Sequence, residues 1–346
     1  MADKNKAVIA VDAHGGDHGL DVTLPATLDA LEADHHLEIR MLGRQADFDQ
    51  FLAAKSVAGI NPQVKDRFDF VAVETELAMD VSPIAALRRG KGSSLWEAIA
   101  LVANGEADAC VSGGSTGAMM ALGVRLSGML TGIERPVLMS YVPNASGFTG
   151  ALDLGANLSV SERQLVQFAV MGSITAEHVD GIENPRVGLL NVGHEDNKGP
   201  VIVQAAHALL KEMPLNYVGF VEGNDLYAGS VDVAVCDGFT GNLVLKSNEG
   251  LARMITSQMK NAMRGSFRGR LGAWIARPAL KSLLVRLDPS AHNGAPLLGL
   301  RGNVIKSHGH ANKAAFTQAI FEAAKTARKK LPKRIDSLIQ QYNLEA

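Results

Sequence analysis

Five segments of this chain share a composition able to hold an anion. In each, a short apolar run gives way to glycine mixed with small polar or acidic residues: Val11–Asp17 (VDAHGGD), Ser112–Gly117 (SGGSTG), Leu190–Gly199 (LNVGHEDNKG), Cys236–Asn242 (CDGFTGN) and Lys306–His310 (KSHGH). The second, fourth and fifth lead straight into helix-like sequence. Glycine lets backbone N–H groups approach a ligand closely, and a helix N-terminus adds the positive end of its dipole. A single turn of this kind is ordinarily just a tight strand-to-helix connection. Five of one type point to a site for phosphate or a similar anion.

The familiar nucleotide motifs do not account for these turns. Gly90-Lys91-Gly92-Ser93-Ser94 has the flavour of a P-loop but lacks its upstream glycine and its Lys-Ser step. The dinucleotide pattern G-x-G-x-x-G is also missing: the first turn gives Gly15-Gly16-x-x-Gly19 and the second Gly113-Gly114-x-x-Gly117. Nucleophiles are scarce. No G-x-S-x-G elbow occurs, and Cys110 and Cys236 each sit in an apolar run, as small buried hydrophobes do. No set of residues has convincing metal-ligand spacing, so no metal and no cofactor are expected. His14, His194, His308 and His310 lie in the glycine turns and are better placed for chemistry than His35, His36 or His207.

Turns of this kind need a rigid frame. Short apolar runs read as strands at Ala7–Val11, Leu37–Leu42, Phe70–Val73, Ala107–Val111, Val137–Val142, Val187–Val192, Tyr217–Val221 and Val231–Cys236. Helical stretches alternate with them at Thr23–Leu31, Ala46–Ala54, Ser94–Ala103, Ala118–Leu126, Glu162–His178, Val201–Lys211, Asn242–Met263 and Lys313–Lys330. Such alternation predicts an α/β protein with a mostly parallel sheet flanked by helices, and ligands bind such sheets outside the carboxyl ends of the strands. The alternation never pauses at a linker, which predicts a single α/β unit over 1–346 with two lobes around a cleft. Hydrophobic residues at 47% and charged residues at 20% fit a packed core. The net charge of -2 gives no global attraction to nucleic acid. Met1–Lys6 is polar, and no apolar run reaches the roughly eighteen residues needed to span a bilayer, so a cytoplasmic protein is expected.

Six ordered segments carry a close resemblance. Val11–Asp17, Ser112–Gly117, Leu152–Asn157 (LDLGAN), Asn191–Gly199, Asp232–Lys246 (DVAVCDGFTGNLVLK) and Gly294–Gly309 (GAPLLGLRGNVIKSHG) look like the successive motifs of the phosphate acyltransferase (PlsX) family. The likeness runs from about Val8 to Phe321. His14 stands where that family usually has methionine, and Leu158-Ser159-Val160 and His310-Ala311-Asn312 also depart from its pattern. The resemblance implies the fold of phosphotransacetylases and isocitrate dehydrogenase-like proteins, usually homodimeric. It also implies transfer of an acyl group from an acyl carrier protein thioester to inorganic phosphate, the first step toward phosphatidic acid in phospholipid synthesis. A membrane-embedded glycerol-3-phosphate acyltransferase would then take up the product.

That reaction asks the protein to hold two anions and to stabilise the oxyanion on a thioester carbonyl. The backbone of Gly15, Gly16, Gly113 and Gly114, with Ser115 and Thr116, suits the phosphate. Lys198 or Lys306 supplies positive charge, and Asn242 is the expected oxyanion donor. His308 is the candidate acid for the leaving thiolate. By their place in the matching motifs, Lys198, Asn242 and His308 are the expected catalytic residues. Asp12, Asp153, Asn157, Asp237, Gly238 and Thr240 are expected around the substrate, with the carboxylates orienting donors.

Residues 250–287 read as a basic amphipathic helical hairpin. It has no acid past Gly250, carries Arg253, Lys260, Arg264, Arg268, Arg270, Arg277, Lys281 and Arg286, and interleaves Trp274, Ile275, Leu280 and Leu283. It suits packing against the body or a second subunit, or contact with acidic carrier protein or anionic lipid. Other classes remain open: a phosphotransacetylase-type enzyme using acyl-CoA, a non-catalytic anion-binding membrane scaffold, and, more distantly, an NAD dehydrogenase.

Overall fold

A computed structural model describes residues 5–54, 62–264, 272, 274–276, 293–342 and 344. Its strands are β1 (Ala7–Asp12), β2 (Leu37–Gly43), β3 (Phe68–Ala72), β4 (Ala109–Ser112), β5 (Val137–Pro143), β6 (Phe148–Leu152), β7 (Val187–Leu190), β8 (Tyr217–Val221), β9 (Val233–Val235), β10 (Ala295–Leu298) and β11 (Val304–Lys306). Its helices are α1 (Leu20–Ala33), α2 (Gln45–Ala54), α3 (Pro62–Lys65), α4 (Pro83–Arg89), α5 (Ser94–Ala103), α6 (Thr116–Ser127), α7 (Glu162–His178), α8 (Val201–Lys211), α9 (Asp225–Ala228), α10 (Gly238–Arg264), α11 (Lys313–Arg328) and α12 (Leu331–Ile339).

All described strands join one sheet in the order β3-β2-β1-β4-β11-β10-β5-β6-β9-β7-β8. β3, β2, β1, β4 and β11 are parallel to one another, as are β6, β9, β7 and β8. Three antiparallel steps, β11 to β10, β10 to β5 and β5 to β6, join the two sets. The sheet is therefore mostly parallel, as the alternating pattern predicts. An odd number of reversals leaves the two parallel sets running in opposite directions, so their carboxyl-end turns open on opposite edges. The five glycine turns do not share one edge, unlike in a simple open parallel sheet.

The reason the strands read as continuous apolar runs is that helices cover both faces. On one face of the first set, α1 and α11 bury Leu24, Leu31, Phe316 and Ile320 against Ile9, Ile39 and Val111. On the other, α5 and α6 bury Ile99, Met119 and Leu122 against Ala10 and Cys110. In the second set α7 is buried continuously from Leu165 to Ala176, lying between the sheet and α8 and α12. A Ser161–Gln164 capping box fixes its start. Each fully buried Phe, Leu or Ile here contributes about 1.5–3 kcal/mol.

The central strands β6 and β10 escape a reading based on alternation, because they are short and glycine- or proline-bearing (FTGAL, APLL). Two details differ from expectation. Helix α10 begins at Gly238, so Asn242 lies in its second turn and not at its start. Most of the expected hairpin (265–271, 273 and 277–287) lies outside the described residues, whereas Trp274 and Ile275 are exposed.

Candidate active site

Three of the five turns meet at the ends of β1, β4 and β11. Buried Asp12 closes β1, and the Ser112 hydroxyl donates to its Oδ2 at 2.6 Å while accepting from the Gly114 N–H at 2.9 Å. A second Asp12 oxygen accepts from the His14 N–H. Asp12 thus shapes the Gly113-Gly114 turn and need not touch ligand. A Cβ at Gly113 would lie 2.8 Å from the Gly15 carbonyl, so the two turns press backbone to backbone. Gly16 packs against Gly309, and the Asp17 N–H donates to the Gly309 carbonyl.

Beyond this turn Ser115 caps α6: its hydroxyl accepts from the Ala118 N–H and donates to the Val81 carbonyl. The first intrahelical bond comes from Met119. The N–H groups of Thr116 and Gly117, in the first turn, therefore face outward without a protein acceptor among the described residues. Lys306 ends β11 and donates to the Gly113 carbonyl at 3.0 Å and to the Ser307 carbonyl. It is half-buried. Burial, with Lys246 nearby, lowers its ammonium to about 8, against the opposite pull of Asp12 and Asp17. A cation held short of full comfort gains from an incoming anion.

The fifth turn is fixed by Asn293, which sequence reading missed. Its side chain donates to Ser307 Oγ and the Ala315 carbonyl, and its oxygen accepts from the His308 N–H. Burial lowers the His308 imidazole, Lys306, Lys246 and His310 add to this, and Glu249 opposes it. The ring is thus neutral near pH 7. His310 pairs with Asp17. His14, the departure in the first turn, accepts from the Arg44 N–H at Nε2 and meets Glu76 through Nδ1 at 2.9 Å. His14, Asp47 and Glu76 bring possible ligand atoms together, but the Arg44 guanidinium already pairs with both carboxylates.

A second cluster forms where β6 and β9 end. Buried Asp153 accepts from the N–H groups of Leu138, Ala156 and Asn157 and from the Asn157 side chain. Burial raises its carboxyl, and those donors only partly offset the rise. Asn157 accepts the Gly238 N–H through its carbonyl. Asp237 takes the Thr240 N–H and hydroxyl, both at 2.8 Å, and so caps α10. A Cβ at Gly241 would fall on the Asp153 carbonyl, which seats the helix directly on this turn. Asn242 emerges beside Gly155.

Helix α10 connects the clusters. It starts on the Asp153 turn, and Glu249, about 16 Å further along the axis, reaches within 4.0 Å of His308. Lys246 lies between, paired with Glu249 and close enough to Lys306 to lower it. Asn242, Lys246 and Glu249 repeat at i, i+4 and i+7 on one face, a signal that was present in the sequence. Lys198 is not brought in: it is exposed in the turn after β7, and its side chain has no hydrogen bond or ion pair among the described residues. That turn is anchored by Asp196, which pairs with Lys211 and His207, and by Asn191, which donates to the Lys198 carbonyl. His194 pairs with Glu222 and Asp225. His207 is buried and fully engaged, with Tyr217 at its other nitrogen.

Known proteins give this geometry its context. Residues 7–334 match the family described as "Fatty acid synthesis protein". A phosphate acyltransferase of Shewanella halifaxensis is 44% identical over 339 residues, 97% of this chain and 98% of that one. Another, of Dichelobacter nodosus, is 47% identical over 314 residues, covering 90% and 89%. Among solved structures, a phosphotransacetylase from Streptococcus pyogenes superposes with a TM-score of 0.60 at 17% identity, covering 93% and 94% of the chains. The EutD phosphotransacetylase from Staphylococcus aureus gives 0.58 at 15%, covering 94% and 95%. The structural likeness shows a shared fold, an α/β architecture with phosphotransacetylases as neighbours. From the sequence matches along nearly its whole length, this chain belongs to the fatty acid synthesis protein family whose curated members are phosphate acyltransferases.

Proposed function

We propose that the protein transfers an acyl group from acyl carrier protein to inorganic phosphate, yielding acyl phosphate and free carrier thiol. A phosphate oxygen attacks the thioester carbonyl, the carbonyl becomes a tetrahedral oxyanion, and the C–S bond breaks to release thiolate. No acyl-enzyme is needed, because the thioester is already activated and phosphate is a nucleophile. The single observation that carries the reading is the half-buried Lys306 ammonium on the Gly113 carbonyl, beside the open N–H groups at the start of α6. These groups hold phosphate with its charge neutralised. Asn242 and Lys246 on α10 face the incoming thioester, with Asn242 as oxyanion donor. His308, neutral and beside Glu249, donates a hydrogen bond to the departing thiolate, which takes up the proton given off by the attacking hydrogen phosphate. Lys198 enters from its solvent-exposed loop when substrate binds. Asp12, Asp153 and Asp237 hold the turns in shape.

The test is incubation of purified protein with palmitoyl–acyl carrier protein and phosphate, following free carrier thiol and acyl phosphate. Product is expected only when phosphate is present, and an acyl group trapped on the protein would overturn the direct attack. Turnover of acetyl-CoA with none of the carrier thioester would instead favour a phosphotransacetylase. Phosphate binding without loss of either thioester would favour a scaffold. We further propose a cytoplasmic homodimer that meets the bilayer through residues 265–285 and passes its product to a membrane-embedded glycerol-3-phosphate acyltransferase. No described helix is long and apolar enough to cross a membrane. Vesicle flotation, compared between wild type and Trp274→Glu plus Ile275→Glu, checks that contact.

A further inference from the structure

The short helix α4 turns the wrong way for a helix of a soluble α/β protein. Its Ala86 is buried, and Gly90 after it, whereas Ile84 is 63% and Leu87 40% exposed. Ile84, Leu87 and Arg88 follow i, i+3 and i+4 spacing on one outward face, and Lys91 is exposed just past the Gly90 C-cap. Arg89 stands exposed beside them. From Val81 to Trp96 the sequence has no acidic residue, and Arg88, Arg89 and Lys91 make no ion pair among the described residues. Cationic side chains usually serve such a helix end by meeting its last carbonyls, but three together with exposed Ile and Leu exceed that need.

The helix is built into the candidate site. The Ser115 hydroxyl donates to the Val81 carbonyl at 3.3 Å, Ser82 caps α4 through the Ala85 N–H, and Pro83 packs on Gly117. Met79, 37% exposed, lies over Gly309 in the Lys306 turn. The exposed face therefore begins at the rim of the phosphate turns and runs about 10 Å away along α4. We infer that the face made by Ile84, Leu87, Arg88, Arg89 and Lys91 docks the acidic carrier protein that presents the thioester. The inference rests on the acyl transfer proposed above. Charge complementarity selects the occupant: exposed cations around a small apolar centre fit an acidic helical protein, steering its approach while Ile84 and Leu87 supply the dry contact. Its place at the rim, beside Gly117 and Gly309, sets a docked carrier within reach of the Lys306 turn.

The test measures binding of unacylated carrier protein by fluorescence anisotropy, and steady-state kinetics with palmitoyl–acyl carrier protein, for Arg88→Glu plus Arg89→Glu. Both side chains are exposed, and an unchanged melting temperature confirms the fold. Affinity for carrier and KM for its thioester should each worsen roughly tenfold, as loss of a pair of docking charges does. Values of kcat and the KM for phosphate should stay within about twofold, since neither residue touches the reacting groups. A carrier variant with acidic residues changed to lysine should recover affinity for the double variant. Equal carrier binding by wild type and double variant overturns the assignment. Loss of flotation on anionic vesicles with carrier binding intact assigns the face to a bilayer and overturns it too. A wild type that binds carrier normally but never consumes its thioester faults the proposed reaction and leaves the docking face standing.

Discussion

Lys306 and Lys198 stand in turns of the same glycine-and-polar type, and the structure treats them oppositely. The Lys306 turn is held from within by Asn293 and tied to two others by the Gly113 carbonyl and the Gly309–Asp17 bond, and its ammonium is half-buried. The Lys198 turn is held through Asp196 and Asn191, while its own side chain stays in water. Preorganised charge in a partly dry site acts far more strongly than charge in solvent. A charge that must be recruited on binding loses ordering entropy each time. Composition alone ranks the two lysines equally, and burial separates them.

The largest effect should come from Lys306→Ala. Loss of a preorganised charge facing the reacting anion should lower phosphate-dependent turnover by about 10²–10³, with the fold intact by circular dichroism. Asn242→Ala should follow at about a hundredfold, mainly in kcat, as removal of an oxyanion donor does. Lys198→Ala should cost less, on the order of tenfold, and chiefly in KM, because its charge is not preorganised. If Lys198→Ala proves the more damaging, the loop closes on substrate and the contrast drawn from the free protein is reversed.

The pH dependence sharpens the same comparison. Burial lowers Lys306 from the ordinary lysine value of 10.5 to about 8. As pH rises through 8 the site loses its charge, so KM for phosphate should climb by up to about tenfold per unit in steady-state assays. Stability moves the other way. Between pH 8 and 10.5 the unfolded chain holds this proton more firmly than the folded one, so the contribution of Lys306 to stability rises across that window. Lys306→Met should flatten both profiles, and a KM for phosphate that does not change between pH 7 and 9 would remove Lys306 from the anion. The smallest expected effect belongs to the second cluster: Asp237→Ala removes the α10 cap and should lower stability by about 1 kcal/mol in urea unfolding. A much larger loss of activity than of stability there would give Asp237 a direct role.

Much of this was legible in the sequence. Apolar runs with helical stretches between them specify β1, β4, β7, β8 and α7 almost to their ends, because strands covered on both faces must be apolar throughout, and β2 reads from its alternation of buried Leu37, Ile39 and Met41 with Glu38 and Arg40. The glycine turns were legible as well, since close backbone approach excludes any Cβ. The chain order of six motifs identified the family. Short central strands were not legible: Phe148–Leu152 and Ala295–Leu298 are held by neighbours on both sides, so their local signal is weak. Sequence could not show that three antiparallel steps send the two halves in opposite directions, because pairing between distant segments leaves no local trace. It placed Lys198 and Lys306 together as candidate charges, and could not show that α10 runs from the Asp153 turn to His308, making neighbours of Asn242, Lys246 and Glu249. Local chemistry and periodicity were fixed by residue types. Which turns meet, and which lysine is buried, was decided by long-range packing, since burial belongs to a residue's neighbours and not to the residue.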